Sequence, residues 1–116
     1  MLGGKERLDY FVRKVADFEE VWGLMDEGWA MAMDASGRDA VPFWPEKEFA
    51  DACATGSWSG FRPEAISLDD LVSRWLPGMK RDNRAAVVFP TAADKGTFVE
   101  SDYLLQRLRQ EAAQYE

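Results

Sequence analysis

Residues 40–63 read AVPFWPEKEFADACATGSWSGFRP, and this stretch decides the fold. It holds two of the five tryptophans, three of the five prolines and the only cysteine. Its first five residues, 40–44, suit a strand. Pro45 then suits the opening position of a helix, where its missing N–H costs nothing. Glu46 and Glu48 fall in the first helical turn, where the helix dipole favours carboxylates. Phe49, Ala50 and Cys53 take the inward face, and Gly56 is a natural stop. Residues 57–63 form a loop that carries Trp58 and Phe61. The segment therefore joins a strand-rich first half to a helix-rich second half.

Upstream, residues 4–18 predict a helix, with Leu8, Phe11, Val12, Val15 and Phe18 on one apolar stripe. The period then changes. Residues 20–25 suit a strand, and Asp26-Glu27-Gly28 a turn in which Gly28 is able to take positive φ. Residues 29–33 alternate strictly, with Trp29, Met31 and Met33 on one face and Ala30 and Ala32 on the other. With residues 40–44 these strands predict an antiparallel meander. Downstream, a short strand is expected around Ala65 and Ile66. Ser67-Leu-Asp-Asp70 is a capping box for a helix with Leu68, Leu71, Val72 and Trp75 inward, ended by Pro77-Gly78. Residues 85–89 read as a buried strand stopped by Pro90, residues 91–96 as a turn and residues 97–99 as a last strand. Ser101 is the expected cap of a final helix with Leu104, Leu105, Leu108, Ala112 and Tyr115 inward.

The predicted order is α-β-β-β-α-β-α-β-β-α. This is an α+β fold, a largely antiparallel sheet of about five or six strands packed with about four helices. No repeat, linker or low-complexity run divides it, so one domain over residues 1–116 is expected. Seven Phe, five Trp and three Tyr within 47 % apolar residues suffice for a packed core, which argues against intrinsic disorder.

Composition also excludes chemistry. The chain has no histidine, which removes Ser-His-Asp and Cys-His pairs and imidazole zinc sites. A formal charge of −7 repels phosphate backbones, so no nucleic-acid partner is expected. The one basic cluster, Lys80, Arg81 and Arg84, is broken by Asp82. No apolar run approaches the ~20 residues of a membrane span, so no membrane partner is expected. The opening MLGGKERLDYF lacks a secretory pattern, and Leu2 stands where myristoylation needs Gly. With a single cysteine and no internal disulfide possible, a cytoplasmic location is expected.

The chain resembles the bacterial family catalogued as domain of unknown function 2750. The matching pieces are Val21-Trp-Gly-Leu24, Gly28-Trp-Ala30, Pro42-Phe-Trp-Pro45, Phe49-Ala-Asp-Ala-Cys53, Trp58, Ile66-Ser-Leu-Asp-Asp-Leu71, Trp75-Leu-Pro77 and Val87-Val-Phe-Pro-Thr91. They span nearly the whole chain between Tyr10 and Tyr115. The family usually carries a His where Glu46 stands, so a role tied to that His does not transfer here. A fainter similarity, to the N-terminal domain of the type III secretion regulator SseB, supports the fold rather than an activity. The resemblance implies a family without an agreed function.

Among candidate sites, Trp22, Trp29, Phe43, Trp44, Trp58 and Phe61 suit either an aromatic groove or plain core packing. Trp58 stands out because Ser57, Ser59 and Gly60 surround it with turn residues. Arg62 beside it offers a charge-assisted hydrogen bond to an anion. The expected binding residues are therefore Trp44, Trp58, Phe61 and Arg62. Cys53 sits near a helix C-terminus in apolar surroundings, which disfavours the thiolate and marks it as structural. Asp26, Glu27, Asp34 and Asp39 lie in turns and fit turn chemistry better than a calcium loop. We expect no catalytic residues, no metal and no cofactor. The expected role is a non-catalytic binding module for a protein partner or small ligand, as a monomer or homodimer. Two alternatives stay open: an acidic regulatory or immunity-like protein that binds a basic partner, and a metal-dependent enzyme using carboxylates.

Overall fold

The computed structural model describes residues 4–91 and 95–114. The expected element order is present. Helix α1 (Gly4–Phe18) leads to β1 (Glu20–Met25), β2 (Ala32–Met33) and β3 (Asp39–Phe43). Helix α2 (Lys47–Ala52), a single 3-10 turn (Gly56–Trp58) and β4 (Arg62–Ser67) follow. Helix α3 runs continuously through Leu68–Asp70, Leu71–Trp75 and Leu76–Arg81, and β5 (Ala85–Val88), β6 (Thr97–Val99) and α4 (Ser101–Ala113) complete the order. The fold is α+β. The expected turn over residues 91–96 and the inward Tyr115 lie partly or wholly outside the described residues. No helix among the described residues is long and apolar enough to cross a membrane.

The strand pairing corrects the expected meander. β1 pairs antiparallel with β4 along its whole length, from Glu20 opposite Ser67 to Met25 opposite Arg62. The other sheet has the order β2-β3-β5-β6. Its outer pairs are antiparallel and its central pair, β3 with β5, is parallel. A parallel pair needs a long crossover, and α2, β4 and α3 supply it. The two sheets are joined where the Trp22 and Trp44 amides exchange hydrogen bonds, at 2.9 and 2.8 Å. Burial decides this pairing. β4 brings Ile66 against β1, whereas the 29–33 stretch seats only Ala30 fully in the core and leaves Met33 63 % exposed.

Every residue of β5 is buried, as expected for a strand covered on both faces. Val41, Phe43, Ala86 and Val88 face the main core, with Phe11, Val12 and Val15 of α1, Leu71 and Leu76 of α3, and Leu104 and Leu108 of α4. The opposite sheet face is paved with smaller groups: Ala40, Ala85 and Val87, with Ala32 and Phe98 packed against them.

Local chemistry explains the other departures. Pro77 does not end α3. An α-wound proline there would clash with the Ser73 carbonyl and leave it without a donor. The chain widens into a π turn instead, with the Leu76 amide bonding back to the Leu71 carbonyl, and the helix continues to Arg81. Pro45 precedes the Glu46 N-cap of α2 rather than opening the helix. In the first turn of the β1–β2 connection, Glu27 and not Gly28 has positive φ, at 59°. Ser67 does cap α3, its hydroxyl accepting from the Asp70 amide at 3.0 Å. Ser101 lies inside α4, whose N-cap is Glu100, and its hydroxyl donates to the Arg84 carbonyl at 2.5 Å. Phe18, expected inward, is exposed at the end of α1 under the Lys14 ammonium.

Candidate functional site

The site is built around one carbonyl, that of Pro90. β5 ends at Val88, and the Phe89 amide still bonds to the Phe43 carbonyl at 2.8 Å. Phe89 then turns to a φ of 57°, a left-handed conformation that costs a bulky residue ~1–3 kcal/mol. Its ring packs 4.6 Å from Phe49 and 5.8 Å from Tyr10, with the Arg7 guanidinium 5.7 Å from its centroid. These contacts hold the strained backbone in place. The Pro90 carbonyl receives the Trp44 indole N–H at 2.7 Å and the Cys53 thiol at 3.2 Å.

Helix α2 ends at the Cys53 C-cap. Gly56, at a φ of 58°, then opens the 3-10 turn, which the Trp58 amide closes on the Thr55 carbonyl at 2.9 Å. The Trp58 ring stands edge-on to Trp44, with centroids 5.9 Å apart at 90°. Between this turn and the outer sheet face lies a cavity of about 360 Å³. Ala32 and Phe98 extend into it from the sheet, and Met33, Trp58 and Pro90 supply the rest of its apolar wall. Its polar groups are Cys53, Thr55, Thr91 and Lys95. Burial pushes the Cys53 thiol up, against a smaller opposing contribution from the Trp44 indole N–H. The neutral thiol is therefore favoured, and as a donor it suits the Pro90 carbonyl.

The four residues singled out from the sequence separate in space. Trp44 has 0 % exposure and cannot touch a ligand; it holds Trp58 and Pro90 from behind. Trp58 is half-buried and lines the cavity. Phe61 is half-buried against the core, and exposed Arg62 opens β4 opposite Met25; neither lines the cavity. Met33, Thr91, Lys95 and Phe98 do line it and were not singled out. Met33 and Phe98 read in sequence as ordinary strand residues, and Lys95 as part of a turn. Nothing local marks them as neighbours.

Two other concave regions differ in kind. A cleft of about 430 Å³ between α1 and α4 is lined by Glu6, Asp9, Tyr10, Arg13, Arg107 and Glu111. Its Arg107 already bonds to Asp9 at 2.8 Å. A groove of about 370 Å³ beside Phe18, Trp22 and Pro45 has Glu20, Glu46 and Glu48 along it, with Lys47. Glu46 also accepts from the Tyr10 hydroxyl at 2.9 Å.

Of the four carboxylates expected in turns, Asp34 is engaged as turn chemistry predicts, whereas Asp39 opens β3. Asp34 accepts from the Ser36 and Arg38 amides, both at 2.9 Å, and from the Ser36 hydroxyl at 2.7 Å. The Ser36 hydroxyl first, then the Arg38 amide and guanidinium, hold Asp34 down at about 2. Arg38 also reaches Glu100 through two bonds, at 3.0 and 2.6 Å, which ties the β2–β3 turn to the start of α4. Among the described residues no three Cys, Asp or Glu side chains gather to hold a metal ion.

The family model described as "Protein of unknown function (DUF2750)" matches residues 8–108 of the chain. No curated protein and no solved structure gives a significant match.

Proposed function

The chain belongs to the DUF2750 family, and we propose that it is a non-catalytic binding module whose site is the cavity beside Trp58. The observation that carries this reading is the strained Phe89-Pro90 segment at the cavity wall. A left-handed Phe is retained where an extended residue would cost nothing, and the turn it makes delivers Pro90 to the cavity and its carbonyl to Trp44. The size and lining fit a small ligand site, concave, mostly apolar and with a few placed polar groups. The described residues lining the cavity include no general base, and burial disfavours the thiolate of its Cys53, which favours binding over covalent chemistry. The unpaired cysteine is in keeping with a reducing, cytoplasmic setting.

The test is a fragment titration followed by heteronuclear NMR. Small aromatic compounds should move the Trp58 indole signal and leave that of Trp44, hydrogen-bonded and buried, nearly still. Trp58→Ala should abolish binding while the fold persists by circular dichroism. Met33→Gln, at an exposed cavity residue, should weaken binding with no cost in stability. Ligand shifts confined to other parts of the protein would overturn the assignment.

A second reading, docking of a basic protein segment, is favoured by a different observation. Exposed Phe18 lies beside Trp22 in the groove edged by Glu20, Glu46 and Glu48. A basic partner held there should wash off at high salt, because exposed charge pairs are screened. Retention through such a wash would count against it.

A further inference from the structure

We infer that the cavity beside Trp58 takes a small molecule with an apolar, ring-sized body and a single anionic group, the anion sitting at Lys95. This rests on the reading of that cavity as the binding site and names the class of ligand. The chain carries 21 acidic and 14 basic residues, yet the described residues lining the cavity include one cation, Lys95, and no carboxylate. Lys95 has no ion-pair partner among the described residues, unlike Lys80, which bonds to Asp102 at 2.8 Å. An ammonium lining an apolar cavity, with no carboxylate beside it among the described residues, is matched by a ligand that supplies one.

The rest of the lining sets the ligand's body. Trp58, Met33 and Phe98 offer ring faces and a polarizable thioether, surfaces that favour a flat or aromatic group. The Thr55 and Thr91 hydroxyls can donate to the anion, or to a second oxygen on the ligand. The Trp58 indole N–H donates to no acceptor among the described residues, which leaves a further donor at this lining residue. Donors therefore outnumber acceptors, since the Pro90 carbonyl is already taken by Trp44 and Cys53. Charge count sets the valence. A dianion such as a phosphate ester would bring a second charge with no second cation among the described lining residues to meet it, and a cationic ligand would meet Lys95 itself.

Three probes with the same ring system test this: naphthoate, naphthylmethanol and naphthylmethylammonium, titrated at low ionic strength with the Trp58 indole as the NMR readout. Naphthoate should bind about tenfold tighter than the alcohol, as expected for one charge-assisted hydrogen bond, and the ammonium should bind weakest. Lys95→Gln, an exposed change, should bring naphthoate down to the level of the alcohol and leave the alcohol's affinity unchanged. Equal binding of naphthoate and the alcohol to the native protein would overturn the inference and leave the binding site standing. So would a preference for naphthoate that survives Lys95→Gln. If none of the three probes moves the Trp58 indole in the folded protein, the site itself is wrong and the inference falls with it.

Discussion

Replacing Trp44 by Phe tests the central feature of the structure, the indole that spans from β3 to the Pro90 carbonyl. The ring is wholly buried, and its N–H reaches Pro90 at 2.7 Å. Trp44→Phe removes that donor but not every donor, because the Cys53 thiol still bonds to the same oxygen at 3.2 Å. The lost hydrogen bond should cost about 1 kcal/mol rather than the full penalty for an orphaned acceptor. Shrinking indole to phenyl leaves a void of about 40 Å³, worth about 1 kcal/mol, and the lost transfer energy adds about as much again. The edge contact with Trp58 survives in weakened form, since a phenyl still presents an edge. The total is about 2–4 kcal/mol, or a fall of roughly 10 °C in Tm for a chain of this size. Urea unfolding followed by far-ultraviolet circular dichroism reads it without relying on the indole lost. The shared acceptor makes a sharper claim. Cys53→Ala should cost about 1 kcal/mol more in the Trp44→Phe background than in the native protein, because only there does Pro90 lose its last donor. A Trp44→Phe protein within about 0.5 kcal/mol of native stability, or strictly additive costs in the double variant, would refute the bridging role.

Gly96→Ala should be among the most damaging single changes. Gly96 has a φ of +86°, and an added Cβ would lie 2.8 Å from the Val88 carbonyl oxygen and 2.9 Å from the Pro90 nitrogen, both backbone atoms that cannot rotate away. We expect a loss of about 2–5 kcal/mol in urea unfolding, from left-handed strain plus overpacking; a loss under about 1 kcal/mol would mean that Gly96 does not pack closely on the Val88 and Pro90 backbone. Asp34→Asn should lower stability at neutral pH and not at strong acid. Asp34 is held at about 2, below the usual 3.8, so its contribution is fully present above 3.8 and is lost as pH falls through about 2. A difference between native and variant proteins that persists unchanged below pH 2 would show that the Asp34 charge is not its source.

The local elements were legible because their causes lie within a few residues. The stripe of Leu8, Phe11, Val12 and Val15 announces α1, and the Ser67 hydroxyl announces α3 through a bond three residues long. Phe18 continues the stripe by spacing alone, yet as the last residue of α1 it is exposed. Pro77-Gly78 is a sound stop signal that tertiary packing overrode. Leu76 and Met79 are buried in the segment that follows, so a π turn costs less than ending the helix. Among the site residues only Trp58 was legible, from the turn residues around it. Lys95 sits 42 positions from Cys53 by number, and no periodicity links the two.

The sequence by itself determined the α+β class, the order of elements, the absence of imidazole chemistry and the apolar setting that disfavours a Cys53 thiolate. Each follows from composition or from short-range spacing. Only the tertiary structure decided that β1 pairs with β4, that β3 and β5 run parallel, and that Trp44 serves as a buried support rather than a contact surface. The Trp44–Pro90 bond joins residues 46 apart, and the left-handed turn at Phe89 persists only because Phe49, Tyr10 and Arg7 surround its ring. Long-range pairing is settled by the sum of burial over the whole chain, a quantity that no window of neighbouring residues contains.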